Sequence, residues 1–165
     1  ARFASAGFEV DRQGSPVPFA QFVADHKTVS EYELGRGQGH LLDHGPSVVN
    51  TILTEAIERG LATTATTYKK ARHSLFGNAR AFWENFGPHD IIVAPAVPDV
   101  APIGRSTGDP HFITPFTAGD GPIATIPTLW SAGGLPESVL TCAQPGADLW
   151  LAARVPALED AIRQL

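Results

Sequence analysis

The apolar positions of this 165-residue chain change their period near its middle. Up to about residue 86 they recur every three or four positions, as on one face of a helix. Beyond it they come as short runs bounded by glycine and proline, as in strands. Residues 1–7 read as the last turns of a helix, with Gly7 as C-cap and Phe8-Glu9-Val10 as a strand. Asp11 to Pro18 is a polar loop. Phe19, Phe22, Val23, Val29 and Tyr32 predict a helix over 19–34, interrupted by Gly35, Gly37 and Gly39, which read as a flexible turn. Pro46 suits a first helical turn, and Val48, Val49, Ile52, Leu53, Ala56 and Ile57 form the apolar face of a helix ending at Gly60. The longest helical stretch is Thr64–Phe86. Tyr68, Ala71, Leu75, Ala79, Phe82, Trp83 and Phe86 make its stripe, and Lys69, Lys70, Arg72 and Arg80 fall mostly off it.

In the second half, Asp90–Ala94 is a continuous apolar run of strand length, which predicts a strand buried on both faces. Pro95, Pro98 and Pro102 then force an extended, irregular path, and 107–117 reads as a loop. Gly119–Arg154 organises the rest. A Gly-Pro turn leads into a strand, Ile123 to Pro127. Gly133, Gly134 and Pro136 turn the chain into a second strand, Ser138 to Cys142. Pro145-Gly146 breaks it, and an apolar helix starts at Ala147. No internal repeat or low-complexity tract occurs.

Length and composition narrow the class. A chain of this size fits one domain with a real core. Its 43% hydrophobic and 18% charged residues suit a folded globule rather than a disordered one. A net charge of −5 provides no electrostatic footprint for nucleic acid or for an anionic membrane surface. No apolar run approaches the ~20 residues that span a bilayer, and the opening ARFASAGFEV lacks the apolar core of a signal peptide. The single cysteine, Cys142, excludes an internal disulfide and fits a reducing, cytoplasmic setting.

Candidate chemistry is sparse. Gly35-Arg36-Gly37-Gln38-Gly39 lacks the spacing, preceding strand and lysine of a phosphate-binding loop. His40, Asp43 and His44 have the i, i+4 histidine spacing of a zinc site, but Gly45-Pro46 ends any helix at once and no metal is expected. Cys142 lies between apolar strand neighbours, where a buried, inert thiol is the ordinary state; a cysteine hydrolase using a histidine is the alternative. Lys27, Lys69 and Lys70 read as solvated helix positions.

The order of parts in the second half resembles the C-terminal end of the amidase signature family. That family ends with a G-x-P-x-x-x-x-P strand, a G-L-P turn, a strand, a P-G-x-D step and a helix. Gly121/Pro122 through Pro127, Gly134-Leu135-Pro136, Ser138 to Cys142, and Pro145-Gly146-Ala147-Asp148 fill those places. Upstream, His89-Asp90-Ile91-Ile92-Val93-Ala94-Pro95 is similar to the family's aspartate–strand–proline segment, and Ala101-Pro102-Ile103-Gly104 follows it in the family's manner. The match is best over 88–154 and extends weakly over 41–87. Glu137-Ser138 depart from the family's apolar residue and glycine, and Leu140 sits near a common glutamine. These departures bear on substrate preference more than on fold.

The resemblance implies an α/β fold, a mixed sheet covered by helices, with residues 1–165 as a C-terminal segment rather than a complete catalytic domain. It implies a hydrolase that cleaves a small carboxamide to carboxylate plus ammonia or amine through an acyl-serine, using a serine, a cis-serine and a lysine and no metal or organic cofactor. The glycine- and serine-rich nucleophile loop of that family does not occur here, so no residue of this chain is assigned as catalytic. The resemblance places the reactive serine and lysine on a larger companion chain, with a homo-oligomer of the complex compatible. In the family the Ala6-Gly7-Phe8-Glu9-Val10 pattern lies deep inside the chain, which suggests a polypeptide cut or split at this point; an unstructured N-terminus is the other reading. This segment would wall the substrate pocket from loops at its strand ends. Trp130 and Phe116 are candidates for an apolar side, with core or subunit contact as the alternative. Thr114, Thr117 and Asp109 are candidates to orient a polar group, although Asp109 also suits an Asp-Pro turn. Arg105 could hold a carboxylate or simply be an exposed loop residue. A second hypothesis is a free-standing, non-catalytic binding or assembly domain.

Overall fold

The computed structural model describes residues 2–5, 7–45, 49–104 and 109–163. In chain order they form α1 (Arg2–Ser5), α2 (Phe19–Gln38), a 3-10 turn (Gly39–His44), α3 (Thr51–Ala62), α4 (Ala65–Trp83) and β1 (Ile92–Pro95). A second 3-10 turn (Pro110–Phe112), α5 (Thr114–Ala118), β2 (Ile123–Trp130), β3 (Pro136–Cys142), α6 (Asp148–Ala152) and α7 (Val155–Arg163) follow. These elements make two compact units, Val17–Asn78 and Ala1–Pro16 with Ala79–Leu165.

The first unit is helical. Helix α2 does not stop at Gly35 but runs through Gly35 and Gly37 to Gln38, so the expected flexible turn is helix. Packing overrides propensity here: the backbone of Gly35 sits against Gly60 and Leu61 of α3, which only a residue without Cβ permits. Arg36 beside it donates to the carbonyls of Gly60 at 2.8 Å and Thr63 at 3.2 Å, satisfying the open end of α3. At its other end α3 begins at Thr51, where the Asn50 side chain accepts from the amide of Leu53 at 2.9 Å. The proposed start at Pro46, and Val48 with it, lies outside the described residues. Tyr32 of α2 stacks on Tyr68 of α4 at 4.1 Å, and Tyr68 donates to Glu33. Of the predicted α4 stripe, Ala71 and Leu75 are buried in this unit, and Ala79, Phe82 and Trp83 are buried in the second.

The second unit carries a three-stranded sheet in the order β1-β3-β2, with both pairs antiparallel. Helices cover a sheet, as an α/β reading requires; where a mixed sheet was expected, the sheet among the described residues is small and antiparallel. Ile126 of β2 faces its register partner Val139 and packs with Leu158 and Ile162 of α7, joined by Phe3, Phe8 and Ile91. Alternation puts Leu140 and Cys142 on the opposite face, and both are fully buried. Two expectations change. The strand at 90–94 is not buried on both faces: among the described residues β1 pairs only with β3 and is an edge, and it alternates half-buried and exposed positions, with Val93 39% exposed. Phe8–Val10 is not a strand. Gly7, at φ +87°, caps α1 in the left-handed region, and the amides of Gly7 and Phe8 bond back to Ala4 and Phe3, which turns Phe8 onto the Phe3 ring.

Candidate functional site

The candidate site lies beyond the end of β1 in the second unit. Residues 97–103 leave β1 on a path stiffened by Pro98 and Pro102, and with Asp109 they line an open surface cleft of about 350 Å³. Val97, Pro98, Val100, Ala101, Pro102 and Ile103 make its lining apolar, while Asp99 and Asp109 bring two carboxylates. One oxygen of each is committed to the backbone. Asp99 accepts from the amide of Val100 at 2.7 Å, and Asp109 accepts from the amide of His111 at 2.9 Å. An apolar slot with few polar groups is the usual form of a small-molecule wall.

The segment beyond Asp109 is not the loop expected for 107–117. Pro110–Phe112 and α5 form consecutive helical turns that share Ile113, because each proline stands in a first turn where its missing N–H costs nothing. Thr114 is buried and its hydroxyl donates to the Pro110 carbonyl at 3.0 Å. Thr117 donates to the Thr114 carbonyl at 3.1 Å. Phe116 is 3% exposed and meets the Phe82 ring edge-on at 6.1 Å. In this structure, then, Thr114 and Phe116 hold α5 in place, and of the four candidates on this segment Asp109 reaches the cleft. Trp130 lies apart from them at the end of β2, opposite Pro136 and 74% exposed. Arg105 lies outside the described residues.

The rival constellations separate. His40, Asp43 and His44 sit exposed on a 3-10 turn, and among the described residues no three His, Cys, Asp or Glu side chains converge as a metal site would require. Cys142 is fully buried, and burial pushes its thiol up to about 12, far from a reactive thiolate. Lys27, Lys69 and Lys70 are exposed. Sequence reasoning missed the cleft residues Val97, Val100 and Ala101; the signal available was the proline-spaced apolar run from Pro95 to Gly104. It missed Trp83 as well, whose indole N–H donates to the Gly119 carbonyl at 2.7 Å in a buried bond.

No protein-family model matches the sequence, and no curated protein does. Solved structures do match. A crystallised amidase superposes with TM-score 0.78 at 22% identity, over 97% of this chain and 39% of its own. A 6-aminohexanoate cyclic dimer hydrolase bound to its substrate gives 0.76 at 20% identity, over 98% of this chain and 39% of its own. A bacterial aryl acylamidase of the amidase signature family gives 0.67 at 18% identity, over 97% and 39%. The fold is that of the amidase signature enzymes. Within the amidase signature fold the chain accounts for a C-terminal portion, and it spans about two fifths of the length of these structures. Among the described residues no helix is long and apolar enough to cross a membrane.

Proposed function

We propose that this chain is the C-terminal part of an amide hydrolase that converts a small carboxamide to a carboxylate plus ammonia or amine through an acyl-serine. The observation that carries the reading is the near-complete coverage of the chain by amidase folds two and a half times its length. The chemistry needs a serine activated by a neighbouring base and donors for the oxyanion. Ser30, Ser74 and Ser131 bond with His26, Asn78 and the Leu135 amide. In this reading the serine, cis-serine and lysine belong to a preceding segment or companion chain. The serine attacks the amide carbon, the amine leaves with a proton, and water then releases the acid.

In that assembly this chain completes the sheet and walls the substrate pocket. The cleft of 97–103 and Asp109 takes the apolar body of the substrate, while the exposed Thr117 and Trp130 lie outside it. Thr114 and Phe116 support it from behind. The single thiol, buried and protonated, suits a reducing, cytoplasmic setting.

The test is a serine trap. The material purified with this chain is treated with a sulfonyl fluoride, and the intact masses of all polypeptides are read. Labelling of a larger stoichiometric companion, with loss of amide turnover, supports the reading. Amide turnover by these 165 residues alone, or a label on one of their own serines, overturns it.

A further inference from the structure

Trp83 closes α4, and two contacts of its own, with a third from its neighbour, tie it to α5 and the turn before β2. Its indole N–H supplies the bond to the buried Gly119 carbonyl, which caps α5. Its ring fills the space beside Gly121, where an added Cβ would stand 2.5 Å from Trp83 Cζ2 and 2.8 Å from Cys142 Sγ. Its neighbour Phe82 meets Phe116 of α5. Between these anchors Asp120 holds a φ of +64°, a conformation that needs its surroundings to enforce it. From Gly121 back to Asp109 the chain is one hydrogen-bonded arm. Gly121 bonds to Phe116, Thr117 to Ile113, and Ile113 and Thr114 to Pro110, whose turn is capped by Asp109. One end of this arm is fixed by Trp83; the other end borders the cleft.

We propose that Trp83 is a positioning residue: it sets the distance between Asp109 and the 97–103 side of the cleft, and so the size of the amide that fits. This inference rests on the cleft being a substrate wall in the reading above. Trp83 touches no substrate. It acts through the hydrogen-bonded arm, and its loss widens the slot.

The experiment compares Trp83→Phe, which keeps a ring but removes the N–H, with the parent in the complete enzyme. KM and kcat are measured for amides of increasing size, from acetamide to acetanilide. Phe116→Leu loosens the same anchor without touching Trp83 and serves if Trp83→Phe fails to fold. Ile57→Val, buried in the helical unit, controls for lost stability. The expected result is a size-dependent change in KM of about tenfold for the bulkier amides, with kcat held within about twofold, in both anchor variants and not in Ile57→Val. An unchanged KM series, or a uniform loss of kcat that Ile57→Val reproduces, overturns the positioning role alone. Absence of amide turnover in the parent enzyme overturns the hydrolase reading and this inference with it.

Discussion

Gly35 of α2 and Gly60 of α3 lie backbone against backbone, with no room for a side chain on either. A Cβ on Gly35 would stand 2.7 Å from the Leu61 nitrogen and 2.8 Å from the Gly60 carbonyl carbon, and one on Gly60 would collide with the Glu31 carbonyl oxygen. The close crossing also brings Arg59 to 2.8 Å from Glu31 and lets Arg36 reach the end of α3. Alanine at position 35 should therefore destabilise the helical unit by about 1–3 kcal/mol despite its better helix propensity. Urea unfolding followed by helical circular dichroism checks this. An unchanged or raised midpoint for Gly35→Ala would show that the two helices are not in contact at this point.

Cys142 gives a pH signature. Burial raises its folded pKa from an ordinary value near 9 to about 12, so folding favours the protonated thiol. The resulting stability is fully present below about pH 9 and is lost as pH rises from there toward 12. Cys142→Ala, which has nothing to titrate, should show a flatter decline over that window than the parent. In the native protein at pH 8, iodoacetamide should leave Cys142 unmodified and label it once urea is added. Rapid native labelling would contradict its burial.

Asp25 is 7% exposed; its Oδ1 accepts from Gln21 at 2.9 Å, while Oδ2 has no hydrogen-bond partner among the described residues. A buried oxygen left without a donor is destabilising. Asp25→Asn keeps the shape and places an uncharged amide there, so it should raise the unfolding midpoint, by up to about 1 kcal/mol. A loss of stability would reveal a donor on the second oxygen.

The cleft makes a functional prediction. Ala101 lines it among the prolines, and Ala101→Trp should fill much of its 350 Å³. In the complete enzyme KM should rise about tenfold or more for bulky amides while acetamide is hydrolysed nearly as before. Equal KM values for all sizes in variant and parent would place the substrate elsewhere.

What the sequence determined by itself was local or ordered along the chain. The stripe Ala71, Leu75, Ala79 and Phe82 announced α4, Gly7 announced the cap of α1, and the turn residues around 121–146 placed β2 and β3. The order of those turns was enough to reach the amidase signature fold. Tertiary structure decided what depends on neighbours distant in sequence. An all-apolar run such as Ile92–Pro95 reads alike in the middle of a sheet and at its edge, since burial depends on how many strands flank it. Glycines 35 and 37 read as a break because propensity is summed along one helix, whereas the close approach that favours Gly35 belongs to two. Phe116 read either as a pocket wall or as core, and tertiary structure buries it against Phe82, 34 positions earlier. Spacing along a chain fixes periodicity and turns; it does not fix which surfaces meet.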